Sequence, residues 1–186
     1  ALAHLVPRAE QSLQQAFVAL GGEAAAAFAG WPSERLAAWQ RVAAASDFVV
    51  QQGARDPQML LALAASGELE RSLGAGELRG QLAQALEECA DDDELGRRLR
   101  RFRNRQQLRI IWRDISRQAD LIETCRDLSD LADACIDLAY QWLYPRHCTQ
   151  FGTPIGRRSG QAQHMVILGM GKLGAHELNL SSDIDL

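Results

Sequence analysis

The chain has 186 residues, 47% of them hydrophobic and 24% charged, so it can bury a sizeable core and is not a disordered tail. With 20 Lys and Arg against 24 Asp and Glu, the formal net charge of -4 gives the whole molecule no electrostatic pull toward nucleic acid. No apolar run reaches the ~20 residues that cross a bilayer, and the first residues lack the sections of a secretion signal, so a cytoplasmic setting is expected, with neither membrane nor nucleic acid as a partner.

From residue 1 to about 144, Ala, Leu, Gln and Arg dominate and branched or aromatic runs are scarce, which predicts a mainly α fold. Gly53 is placed to end one helix, and Asp56 followed by Pro57 reads as the N-cap and first-turn proline of the next. Gly67, Gly74 and Gly76 predict short connections between helices. The four cysteines, Cys89, Cys125, Cys135 and Cys148, form no C-x-x-C pair and are expected to be buried thiols. Of the histidines, only His147 neighbours a cysteine, and adjacent side chains point apart on regular structure, which argues against a zinc site there.

The acidic stretch at 87–94 leads into a helix carrying arginines at 97, 98, 100, 101, 103, 105, 109, 113 and 117. Asp91 and Glu94 have the spacing of a capping box, with negative charge at the end of the helix where the dipole favours it. Leu95, Leu99 and Phe102 share one face, whereas Leu108, Ile111, Trp112 and Ile115 gather on the other, so this helix must change neighbours or break near Asn104. The arginines surround the helix with few aromatics between them, which disfavours base stacking. Pairing with the aspartates of a following helix, at 127, 130, 133 and 137, is the economical account. That helix carries an apolar stripe of Leu121, Cys125, Leu128, Ala132, Cys135, Ala139 and Trp142 and is expected to end at Pro145. A glycine- and proline-containing loop follows, and the domain boundary is placed between residues 163 and 164.

Residues 165–186, "MVILGMGKLGAHELNLSSDIDL", carry the chemistry. The apolar run ahead of Gly169 reads as a buried strand, and Gly169, Gly171 and Gly174 fit G-x-G-x-x-G, a turn that brings backbone N–H groups to phosphate oxygens. A dinucleotide-binding oxidoreductase would continue through a full helix and reach its ribose-binding acid about 20 residues on. Here Asn179, Ser181 and Ser182 interrupt the helix after some two turns. "DIDL" then alternates as a half-buried strand, placing Asp183 and Asp185 on one face. Paired carboxylates on a strand suit Mg2+ or Mn2+, hard cations that neutralise a transferring phosphate. A Walker loop is excluded, since Val166 replaces its first glycine and Leu173 its hydroxyl residue.

A glycine turn, Lys172 at the helix start and a D-x-D strand together resemble the nucleotidyltransferase superfamily of the DNA polymerase beta type. Within it, "LGMGKLGAHELNLSSDIDL" resembles the signature of bacterial glutamine synthetase adenylyltransferases, and "SDFV" at 46–49 and "LRRFRNRQQLRIIWRDI" at 99–115 agree with the helical segment of that family. The resemblance implies a helical domain over 1–163 and, over 164–186, the opening strand, helix and strand of an α+β nucleotidyltransferase domain. Asp183 and Asp185 would be catalytic metal ligands, with Gly171, Lys172 and Ser182 near the phosphates. Asn179 and the residues before the Gly-Lys pair look like the first of the family's two motif copies, the adenylyl-removing one. Implied partners are glutamine synthetase, a PII-type signal protein, ATP or ADP, and phosphate. The family's later carboxylate strand lies beyond Leu186, so the site is expected to be incomplete here and the chain inactive alone. A separate reading makes the helical region a protein-docking module.

Overall fold

The computed structural model describes residue 11 and residues 22–186; the start of the predicted 1–163 region, His4 included, lies outside the described residues. The described residues are mainly α-helical, and their β structure is one isolated antiparallel bridge between Ile155 and Ala162. Two compact units divide the chain: residues up to Leu73 with Arg103–Thr124, and Gly74–Phe102 with Cys125–Leu186.

The first unit contains α1 (Gly22–Ala29), α2 (Ser33–Ala45), α3 (Asp47–Arg55) and α4 (Pro57–Ala65), joined by the second half of α6 (Asp92–Ile115). Ser46 caps α3 by accepting the Val49 N–H at 3.4 Å, and Asp56 caps α4 by accepting that of Met59 at 3.0 Å. Each satisfies a backbone donor that a helix start leaves open. Gly53 does not end α3 but lies buried inside it, and the helix runs on to Arg55, where the Asp56–Pro57 start of α4 stops it. The core gathers Trp39, Val42, Val49, Leu60, Leu63 and Leu69 around Leu108 and Trp112 of α6. Trp112 stacks on Trp39 with ring centroids 6.2 Å apart and meets Trp31 edge-on at 6.1 Å.

Arg105, Arg109 and Arg113, spaced at four residues on α6, serve this unit. Arg109 is fully buried and donates to the carbonyls of Glu68 at 3.2 Å and Arg71 at 3.1 Å. Arg113 donates to the Gln118 carbonyl at 3.0 Å and pairs with Glu123 at 2.9 Å, while Arg105 pairs with Glu68 at 2.9 Å. Arg113 thus meets the start of the following helix, Leu121–Phe151, through Glu123, while Arg105 and Arg109 serve Glu68 and the carbonyls of the turn after α4. An irregular turn leaves carbonyls that need donors, and a guanidinium fork satisfies several at once.

The second unit contains α5 (Glu77–Ala85), the first half of α6, α7 (Leu121–Phe151) and everything after it. Asp91 accepts the Glu94 N–H at 2.7 Å, and the Glu94 carboxylate accepts the Ala90 N–H at 2.9 Å, a capping box that reaches one residue further back than the usual form. The Ala90 N–H and then Arg98 hold the Glu94 carboxyl below its ordinary range. Helix α6 does not break. It changes neighbours between Phe102 and Arg103, next to Asn104, with Leu95 and Phe102 buried in one unit and Leu108 and Trp112 in the other.

Along α7, Leu128, Leu131, Ala132 and Ala134 are buried, but Leu121 is 73% exposed and drops out of the predicted stripe. No disulfide joins the four cysteines; Cys89 is buried, and Cys125, Cys135 and Cys148 are only half-buried. Pro145 does not end α7, which continues to Phe151 and stops at Gly152. Pairs spaced four residues apart bracket the proline: the Arg146 guanidinium lies 3.4 Å from the Trp142 ring centre, and His147 stacks on Phe151. The Arg146–Trp142 contact spans the turn whose hydrogen bond the proline removes, and His147–Phe151 ties the turn after it. No helix among the described residues is long and apolar enough to cross a membrane.

Candidate functional site

The segment from His164 leaves α7 under two tethers. Tyr144 donates its hydroxyl to the Gln163 carbonyl at 2.6 Å, and Tyr140 accepts the Met165 N–H at 3.0 Å. The following apolar run forms no strand and is not buried: Met165, Val166 and Leu168 are 60%, 78% and 66% exposed. Among the described residues nothing covers this run, and apolar content alone does not make a strand without a paired edge. One link to the second expected strand is in place, from the Met170 N–H to the Asp185 carbonyl at 2.9 Å.

After Met170 the chain turns into α8 (Gly171–Gly174), a single turn where two were expected. Gly171 takes φ +53°, and a Cβ on Gly174 would overlap the Gly169 carbonyl oxygen. The glycine pattern therefore serves a tight turn and a close backbone approach. The N–H groups of Ala175 and His176 close the turn on the carbonyls of Gly171 and Leu173 at 3.1 and 2.9 Å. His176 itself adopts φ +60°, a left-handed conformation uncommon outside glycine. A helix this short lacks the length a dinucleotide fold requires.

Two of the predicted site residues come together: the Asp185 carboxylate lies 3.9 Å from where a Gly171 Cβ would stand. Lys172 is exposed beside them, and Asp183 and Asp185 are both exposed. Ser182 is half-buried, donating its hydroxyl to Asn179 Oδ1 at 2.8 Å and accepting the Asn179 N–H at 3.2 Å. Ser181 donates to the same Asn179 oxygen at 3.1 Å, so Asn179 organises the turn ahead of the two aspartates. Exposed carboxylates, one against a glycine turn, fit a hard cation whose remaining shell is open to water or phosphate oxygens. Among the described residues no three His, Cys, Asp or Glu side chains gather as ligands.

Sequence reasoning missed the partners that α7 supplies. Ser129, fully buried, accepts the Leu178 N–H at 3.3 Å, and Asp130 meets His176 Nε2 at 3.1 Å. One turn on, partial burial raises the Asp133 carboxyl above its usual range, with His176 opposing and Asp130 and Asp137 adding to the rise. Asp137 pairs with Arg79. Nothing in a run of aspartates at helical spacing distinguishes such contacts from a solvated face.

The model of the family described as "Glutamate-ammonia ligase adenylyltransferase" matches residues 36–186. The chain is 68% identical over 181 residues to the "Bifunctional glutamine synthetase adenylyltransferase/adenylyl-removing enzyme" of Pseudomonas syringae pv. tomato, covering 97% of this chain and 18% of that protein. It is 66% identical over 187 residues to the protein of the same name from Pseudomonas aeruginosa, covering 99% and 19%. For the Nitrosococcus oceani protein of that name the identity is 49% over 142 residues, covering 76% and 15%. The chain thus spans under one fifth of the length of these relatives. With a family model matched over most of its length, the chain belongs to the glutamate-ammonia ligase adenylyltransferase family.

Proposed function

We propose that residues 164–186 are the leading part of a nucleotidyl-transfer site of the adenylyl-removing kind, carried on the helical region of residues 1–163. The observation that carries this reading is the Asp185 carboxylate set against the glycine turn at Gly171, inside a segment matched by the family model. The relatives' printed names supply the substrate class, an adenylylated glutamine synthetase.

In the proposed reaction an oxygen of inorganic phosphate attacks the adenylyl phosphorus. The new P–O–P bond makes ADP, the bond from phosphorus to the tyrosine oxygen breaks, and that oxygen takes a proton. Asp183 and Asp185 would hold Mg2+ or Mn2+, which supplies neutralisation of charge on the transferring group. Lys172 adds a positive charge beside Gly171, and the backbone after Gly171 offers N–H donors to phosphate oxygens. Ser182, braced through Asn179, holds the turn that presents Asp183 and gives a hydroxyl near the phosphates. ATP or ADP and phosphate are the small-molecule ligands, a PII-type protein is the regulatory partner the resemblance implies, and the setting is cytoplasmic.

The test measures ADP release from adenylylated glutamine synthetase and phosphate by the intact enzyme, with Mg2+ or Mn2+ supplied. Asp183→Asn and Asp185→Asn are each expected to lower the rate by on the order of a hundredfold or more. Full activity in both variants overturns the assignment.

A further inference from the structure

Only two hydrophobic side chains between Gly152 and Leu186 are buried, Leu173 and Leu178, and they flank the turn that closes α8. The residues proposed to do chemistry, Lys172, Asp183 and Asp185, are all exposed and carry no burial of their own to hold them. Between Leu173 and Leu178, α7 makes two polar contacts with the segment. The Ser129 hydroxyl donates to the Cys125 carbonyl at 2.8 Å, which aims its oxygen to accept the Leu178 N–H at 3.3 Å. Asp130, the next residue, meets His176 Nε2 at 3.1 Å. His176 reaches it from a left-handed backbone conformation at φ +60°, which costs a non-glycine residue energy and persists where surrounding contacts hold it.

We propose that Ser129 and Asp130 of α7, acting through Leu178 and His176, are positioning residues that set where the glycine turn and the paired aspartates stand. This rests on the nucleotidyl-transfer reading of residues 164–186. Two anchors on a rigid helix, one to the backbone and one to a side chain, fix both the distance and the rotation of the short segment between them. A misplacement of about 1 Å at a reacting centre costs on the order of a hundredfold in rate, so loosening the clamp should be felt in turnover before it is felt in protein–substrate recognition.

The experiment uses the intact enzyme carrying Ser129→Ala, Asp130→Ala or Asp130→Asn, with Arg79→Ala as a control that breaks the Arg79–Asp137 pair elsewhere on α7. Hydrogen exchange is followed in peptides spanning 171–186, and ADP release is measured against adenylylated substrate and phosphate. Ser129→Ala and Asp130→Ala are expected to speed exchange in those peptides and to lower kcat by roughly tenfold to a hundredfold with KM for the adenylylated protein unchanged. Asp130→Asn keeps an oxygen acceptor for His176 and should recover much of the loss, and Arg79→Ala should change neither measurement. Unchanged exchange and kcat in both alanine variants overturn the proposal, as does a loss in Arg79→Ala equal to theirs. Faster exchange at 171–186, with Asp183→Asn and Asp185→Asn fully active, supports the clamp and rejects the nucleotidyl-transfer reading, so the two failures are distinguishable.

Discussion

Gly174 has the least freedom of any residue in the candidate site, because the Gly169 carbonyl occupies the space a Cβ would need. Gly174→Ala must push the end of α8 away from Met170 and Gly169, and overpacking of this kind costs about 1–3 kcal/mol. The expected outcome is a lower denaturation midpoint and, under the proposed function, reduced ADP release by the intact enzyme, since the same displacement moves Gly171 relative to Asp185. The glycine spacing was visible in the sequence because it answers to local backbone sterics. The pairing of His176 with Asp130, and of Leu178 with a serine 49 positions earlier, was not, because these contacts are created by the packing of a distant helix. Ser182 shows a third case: the hydroxyl stood out in sequence beside the aspartates, and its present bonds are to Asn179.

Among the elements, α7 departs furthest from what its sequence implies. Proline removes one hydrogen bond and crowds the preceding turn, which is why Pro145 reads as a stop. The helix nonetheless continues, with Arg146 meeting Trp142 across the turn that the rule assumes is lost and His147 stacking on Phe151 in the turn after it. Pro145→Ala is therefore expected to stabilise the second unit by about 2 kcal/mol, the ~3 kcal/mol helix cost of proline less the chain entropy it saves in the unfolded state. Urea unfolding followed by circular dichroism measures it, and a destabilised variant would mean that α7 needs the proline's bend. Helix α6 followed its sequence better. Opposed apolar faces on either side of Asn104 foretold a change of neighbours, since a helix that buries two faces must have two things to bury them against. The expected strands at 164–168 and 183–186 did not form, because a strand is completed by its neighbours and the backbone link to Asp185 comes from Met170, past the end of the first segment.

For the whole molecule, the tryptophan cluster is the main source of cohesion in the first unit. Trp112 is fully buried between Trp39 and Trp31, so Trp112→Ala is expected to cost about 3–5 kcal/mol, enough to unfold that unit at room temperature if its stability is ordinary. Loss of the near-ultraviolet tryptophan signal with retention of helix in the second unit is the measurement that checks it. Composition foretold the mainly α character of the chain, because helix propensity sums over long windows. It did not foretell that the two compact units would interleave along the chain, since that depends on which distant segments meet.

The interleaving reaches into biosynthesis. A ribosome delivers residues in numerical order, yet Trp39 must wait for Trp112, and the whole of Gly74–Phe102 emerges in between. The nascent polypeptide therefore carries its early helices with their apolar faces open until α6 has cleared the exit tunnel. A pause or a chaperone acting within that interval would govern how much of the protein matures.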